Sequence, residues 1–182
     1  MWQPDPQRQR LANHTIEDLL TTPGDARYEV TDGILRVVPF HSARHQTCCA
    51  LLAVWLRDHT PPHLTATHHM SVAFAIDSTR EIDVLVRRVE ASGTHVFLRP
   101  HEVKIAIEVE EPRSRHTDRV IKPAEYAAAA IPHFWRVALD PVHIHAFRLG
   151  TDGRYRPVAD SGDVLTVDVP VPIRLPIADI TP

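Results

Sequence analysis

Two short apolar runs, each carrying one carboxylate, constrain this chain more than anything else in it. The first is Ile82-Asp83-Val84-Leu85-Val86 and the second is Val103-Lys104-Ile105-Ala106-Ile107-Glu108-Val109. Runs of this length, aliphatic and with few polar interruptions, read as central strands of a sheet. Alternation along the second run puts Ile105 and Ile107 on one face and Ala106 and Glu108 on the other. A charge placed there is costly to bury without a partner. Glu108 is therefore either a solvent-facing carboxylate at a strand end or one held by a cation.

The surrounding chain supplies a frame for these strands. Residues 1–13 are polar and proline-containing, and flexibility is expected there. Thr15 to Leu20 reads as a short helix with Thr15 or His14 at its cap, ended by Pro23-Gly24-Asp25. Arg27 to Val30 and Ile34 to Val38 are hairpin strands joined at Asp32-Gly33. Ser42 caps a helix that runs to His59 and stops at Pro61-Pro62. Its apolar stripe is Cys48, Leu51, Leu52, Trp55 and Leu56. Leu64–Met70 and Ser71–Ile76 are strand-like, and Asp77 to Arg80 is a turn. A loop from Glu90 to Thr94 and a short apolar segment from His95 to Leu98 precede the second run. A helix over Asp118 to Ala129 requires Pro123 in its first turn. Phe134–Leu139 and His143–Arg148 form a hairpin through Asp140-Pro141, Tyr155–Val158 and Val164–Val169 add strands, and the proline-rich tail is expected to run extended along an edge. This order predicts one α/β (α+β) domain over residues 1–182, with a mixed central sheet flanked by helices and a C-terminal β-hairpin extension.

Composition removes several classes. With 182 residues and 43% hydrophobic content, the chain can bury a core of its own. It has no apolar run of about 18 residues, so no membrane-crossing helix is expected. The start, Met1-Trp2-Gln3-Pro4-Asp5-Pro6, has no basic-then-apolar leader pattern. Cys48 and Cys49 are adjacent and cannot form an ordinary disulfide with each other. A cytoplasmic setting is the expectation. The net charge of −3 means that any nucleic-acid contact must use a local patch. No Gly-x-Ser-x-Gly elbow and no phosphate-cradling glycine loop is present. His143 and His145 share a strand face at a spacing that can hold a transition metal, but no Cys or carboxylate partner is evident in the sequence. His68 and His69 read as surface residues, and Trp55 and Trp135 as core aromatics.

The chemistry lies after the second run. Hydrolysis of a phosphodiester needs the phosphate charge neutralised and a water activated, and a hard divalent cation held by one or two carboxylates does both. Asp83 and Glu108 are of the right type. Lys122 stands four residues after Asp118 and four before Tyr126, so the three share a helix face. Lys122 could orient water or stabilise developing charge, or simply pair with Asp118. Arg113, Arg115, His116 and Arg119 make a basic cluster that suits phosphate, or a solvated loop.

These residues carry a resemblance. Arg27-Tyr28-Glu29, Asp32-Gly33, Arg44-His45-Gln46, Ile82-Asp83-Val84-Leu85-Val86, Ile107-Glu108-Val109, Asp118, Lys122, Tyr126, Ile131-Pro132 and Phe134-Trp135 follow the order seen in a large bacterial family of restriction endonucleases. That family belongs to the PD-(D/E)XK nuclease superfamily, and the chain resembles it from about Thr15 to Ile180. The resemblance implies a restriction-endonuclease-like core and a DNA endonuclease with Mg²⁺, or Mn²⁺ in its place. It implies metal binding by Asp83, Glu108 and Glu29, and catalysis by Asp83, Glu108 and a lysine displaced to the following helix, Lys122. His45, Gln46, Arg115, Arg119 and Tyr126 are the expected substrate-side residues. The chain departs from the pattern at Ile82, where proline is usual, and at Glu110-Glu111, which replace an apolar-serine pair. Glu110 also occupies the position where related nucleases often keep their lysine. That leaves open a second class, a nuclease fold without hydrolytic activity that binds DNA or protein. A homodimer is expected, both to cover edge strands and to address two strands of a duplex.

Overall fold

The computed structural model describes residues 13–22, 27–89 and 96–182. Its frame is a six-stranded sheet in the order β3-β4-β5-β6-β7-β8. These strands are β3 (Leu64–Ala75), β4 (Ser78–Arg88), β5 (Val103–Val109), β6 (His133–Leu139), β7 (Val142–Leu149) and β8 (Tyr155–Ser161). All neighbours are antiparallel except β5 and β6. A parallel pair needs a crossover, and the chain between them supplies the helix α3 (Lys122–Ala128). The earlier elements are α1 (Ile16–Thr21), a hairpin of β1 (Arg27–Thr31) and β2 (Ile34–Val38), and the long helix α2 (Ala43–His59).

Local chemistry explains the boundaries. Thr15 and Asp18 form a reciprocal capping box on α1. Asp32 and Gly33 both have positive φ, 51° and 72°, as the tight turn joining two twisted strands requires. The Ser42 hydroxyl accepts the His45 N–H at 3.2 Å and so starts α2, a contact worth about 1 kcal/mol in typical caps.

The sheet has two unlike faces. On one, Cys48, Cys49, Leu52 and Leu56 of α2 pack over Val84, Val86, Ile105, Ile107, Trp135, Val137 and Ile144. The other holds a smaller apolar group, including Leu85, Ala106, Tyr126 and Phe134, beside buried charged residues. The predicted split of Ile105 and Ile107 from Ala106 is thus observed. Both thiols are free and buried. Burial pushes the Cys48 thiol up to about 12, so it stays protonated near neutrality and serves as packing.

Four expectations change. The two segments predicted over residues 64–76 are one twelve-residue strand, β3. The turn after β3 is shorter than predicted, because β4 already begins at Ser78. Leu51 is exposed, whereas Ala53 and Cys49 join the buried stripe. The tail does not run along an edge. β9 (Val164–Val167) and β10 (Ile173–Pro176) pair with each other, and the 3₁₀ turn Ile177–Ile180 follows. Leu165, Ile173, Leu175, Ile177 and Ile180 from this segment complete the core under α2, and Trp55 Nε1 donates to Asp179 at 3.1 Å. The expectations for residues 1–12, Pro23-Gly24-Asp25, Glu90 to Thr94 and His95 lie outside the described residues.

Candidate active site

β4 and β5 stay paired down to Val84 and Ile107, and the next residues, Asp83 and Glu108, sit where the two strands part. The parting leaves the Val109 N–H without a β4 carbonyl. Asp83 Oδ2 accepts it at 2.9 Å. His45 Nε2 lies 3.2 Å from the same oxygen. Among the described residues Oδ1 has no hydrogen-bond partner, and Asp83 lines a cavity of about 600 Å³. Burial disfavours its charge. The His45 contact, the nearby Lys122 and the Val109 N–H outweigh that and hold its carboxyl well below the usual range.

Glu108 is fully buried and both of its oxygens are used. Lys122 Nζ donates to Oε2 at 2.5 Å, and the Tyr126 hydroxyl donates to Oε1. Asp118 Oδ1 is 3.6 Å from the same ammonium. Burial, with Asp83 and Asp118 near, pushes the Glu108 carboxyl up. Burial alone would lower the Lys122 ammonium, but Glu108, Asp83 and Asp118 together push it up. Lys122 therefore carries a firm positive charge among three carboxylates. The simple surface pair with Asp118 is excluded, since both groups are enclosed.

Pro123 explains how Lys122 gets there. The helical path spans residues 115–128, with a π turn over Thr117–Ile121. Proline in a helix lacks its N–H and crowds the carbonyl four residues back. The widened turn relieves that crowding, and the Lys122 N–H reaches Thr117 O, five residues back. Such turns recur at functional sites. Pro123 thus occupies the first turn of α3, as predicted, but the helical path begins upstream of it.

The other predicted residues are placed differently. Glu29 lines the cavity but is already bonded: Oε1 accepts the Glu81 N–H at 2.7 Å and Oε2 accepts from Arg80 at 3.3 Å. Arg119 is fixed by a two-pronged contact to Glu110, 2.7 and 2.8 Å, and Arg136 Nε lies 3.1 Å from the same carboxylate without hydrogen-bonding geometry. Glu110 is thereby committed to two arginines. Arg113 is tied to Glu111 and to the Phe40 carbonyl. Gln46 is exposed and donates to the His41 carbonyl at 3.1 Å, away from the cavity lining. Arg115 is exposed and makes no ion pair or hydrogen bond among the described residues.

Several site residues have no marker in the sequence. His41 stacks on His45 with ring centroids 3.9 Å apart, and burial and His45 lower its pKa. His69, expected at the surface, stands 6.1 Å from His41 and 3.1 Å from Glu81 Oε1. Its φ of 52° turns it out of strand alternation. Arg80 grips Glu125 through two bonds of 2.7 Å and so joins β4 to α3. The four-residue spacing of His41 and His45 was the one available signal, hidden because Ser42 places His41 just outside the helix.

The donor set suits a divalent cation. Asp83 offers a free carboxylate oxygen at the cavity wall, a hard ligand of the kind Mg²⁺ prefers. Asp83, His45 and His41 also bring ligand atoms within 4.8 Å of one another, a mixed oxygen and imidazole set that suits Mn²⁺ and its neighbours. Both oxygens of Glu108 are taken by Lys122 and Tyr126 in this arrangement.

A model of the Uma2 family, described as "Putative restriction endonuclease", matches residues 15–178. The crystal structure of a "putative nuclease belonging to DUF820" from Anabaena variabilis aligns with a TM-score of 0.69. The alignment covers 92% of this chain and 97% of that one at 16% identity, so the likeness concerns the fold. No curated protein matches the sequence. With the match running through nearly all of its elements, the chain belongs to the Uma2 family of restriction-endonuclease-like proteins.

Proposed function

We propose that this protein is a metal-dependent endonuclease that hydrolyses phosphodiester bonds in DNA. The observation that carries the reading is the position of Lys122, whose amine is delivered to Glu108 from a helix rather than from β5. Asp83 is the anchor for Mg²⁺ or Mn²⁺, with Glu108 as the second carboxylate. Glu29 acts through Arg80 and the Glu81 backbone on the rim of the same cavity. When bound, the cation supplies phosphate neutralisation and an activated water. His45 holds the Asp83 carboxylate in its ionised form. Lys122, charged and enclosed, stabilises the negative charge that develops on the phosphoryl oxygens. Tyr126 fixes the second oxygen of Glu108 and so the direction of its partner. Of the predicted substrate-side arginines, Arg115 is free to meet the DNA backbone, and Arg119 is available only at the expense of Glu110.

Glu110 at the usual lysine position favours a second reading, a non-hydrolytic binding module. Its ion pairs with Arg119 and Arg136 weaken that reading, because its charge is neutralised. A second copy of the chain belongs to the proposal, with β3 and β8 the terminal strands of the sheet, although Leu98 already bridges β3 at Val72. Light scattering that returns the monomer mass at micromolar concentration would remove it.

The deciding experiment is calorimetric titration with Mn²⁺ and Mg²⁺, comparing the unmodified chain with Asp83→Asn and Glu108→Gln, followed by cleavage of plasmid DNA. Binding abolished in both variants, together with cleavage by the unmodified chain alone, is the expected result. Cleavage retained by Asp83→Asn would overturn the assignment.

A further inference from the structure

A second group of ligating side chains stands outside this cavity. His143 and His145 project from one face of β7, two residues apart. Asp160 on the neighbouring strand β8 is the register partner of His145. This is the carboxylate that the sequence does not reveal. Asp160 Oδ1 lies 2.6 Å from His143 Nε2, and Oδ2 meets His145 Nδ1. The two rings are 4.8 Å apart. Among the described residues these imidazoles are the only partners of Asp160. No arginine or lysine pairs with it, although Arg136 is the register partner of His145 on β6 and turns instead to Glu110.

We propose that His143, His145 and Asp160 form a binding site for a divalent transition-metal ion such as Zn²⁺ or Ni²⁺. Three observations support it. One nitrogen from each ring and a carboxylate oxygen all lie within 4.8 Å of one another. Ligands around zinc at about 2.0–2.1 Å sit roughly 3.3 Å apart, so small side-chain rotations close the set on an ion. The three are carried on two paired strands, a rigid scaffold. Each is partly exposed, with side-chain accessibilities of 32, 29 and 59%, so water can complete the coordination. Gly162 contributes space, since a Cβ there would come 2.9 Å from His143 Nδ1.

Ligand type sets the metal class. Two imidazoles and one carboxylate favour zinc, nickel, copper or cobalt over magnesium or calcium. Two histidines hydrogen-bonded to an aspartate could be complete without an ion. That arrangement, however, spends two imidazoles on one exposed carboxylate, and it makes no prediction of saturable metal binding. Three protein ligands leave a position open for water or an anionic oxygen. The site lies on the sheet face of Glu108, in the cross-strand row Glu108, Arg136, His145 and Asp160.

The test uses the full chain without an affinity tag and in the Asp83→Asn background, which removes the anchor of the cavity's proposed metal site and breaks the other three-ligand group. Ni²⁺ is titrated by calorimetry, and Co²⁺ by its visible absorption. One equivalent of either ion is expected to bind. Adding His143→Gln and His145→Gln should abolish binding, and Asp160→Asn should weaken it about 10-fold or more. An unchanged thermal midpoint without metal shows that these variants fold. Absence of saturable Ni²⁺ binding, or binding indifferent to the two histidine substitutions, overturns the proposal.

Discussion

The two faces of the central sheet are built on opposite principles. Under α2, Leu52, Leu56, Val84, Ile107 and Trp135 exclude water and tolerate no charge. On the other face Glu108 and Asp118 are buried and Lys122 mostly so, but they are charged, and each is stabilised by its neighbours. Truncating an apolar side chain leaves a void. Truncating one member of an enclosed ion pair strands the other, which costs more than the pair itself contributed. The charged face is therefore brittle where the apolar face is merely compressible, and that brittleness lies at the proposed active site.

Lys122→Ala should show the largest effect, on both stability and cleavage. It strands Glu108 and is expected to cost about 3–5 kcal/mol, read from urea unfolding. A neutral result would mean that the two faces do not differ in kind. Leu52→Ala should cost about 2–5 kcal/mol as a cavity mutation, while cleavage per folded molecule is unchanged. A matching loss of cleavage would show that the faces are coupled.

His133 tests the apolar side by pH. Burial, then Arg148, hold its imidazole down to about 4, against about 6.5 in an unfolded chain. Between these values the unfolded chain binds a proton that the native state does not. The contribution is whole above pH 6.5 and disappears as pH falls toward 4. The urea midpoint should drop over that window, and His133→Gln should flatten the drop. Arg119→Ala is the smallest case. Its side chain is nearly half exposed, and Glu110 keeps Arg136, so less than about 1 kcal/mol is expected. A larger loss by the same urea measurement would move Glu110 to the brittle side.

How much of this was legible varies with the distance over which the signal acts. The bounds of α2 follow from Ser42 and Pro61-Pro62. Local spacing marks Asp83, Glu108 and Lys122 as candidates but leaves a solvent-facing Glu108 and a surface Asp118–Lys122 pair open, and only the family resemblance implies their roles. β3 reads as two pieces in sequence because His68-His69 and Ser71 interrupt its apolar pattern, yet pairing with β4 carries the strand through them. His69 and Arg80 join the site only through β1, β4 and α3, which no local pattern relates. Asp160 is fifteen residues from His145 and meets it only by strand register. The tail alternates proline with apolar residues, which reads as extended chain and conceals that each apolar residue has a place beneath α2.

That tail bears on how the protein is made. Synthesis runs from the N-terminus, and Leu165, Leu175 and Ile180 are among the last core residues to emerge. Until they do, Trp135, Val137 and Ile144 lack part of their cover. A nascent chain stalled before residue 165 would expose a sticky sheet face, the kind of surface that chaperones bind. The residues that line the charged cavity all precede β6, so they leave the ribosome before the segment that covers the apolar face.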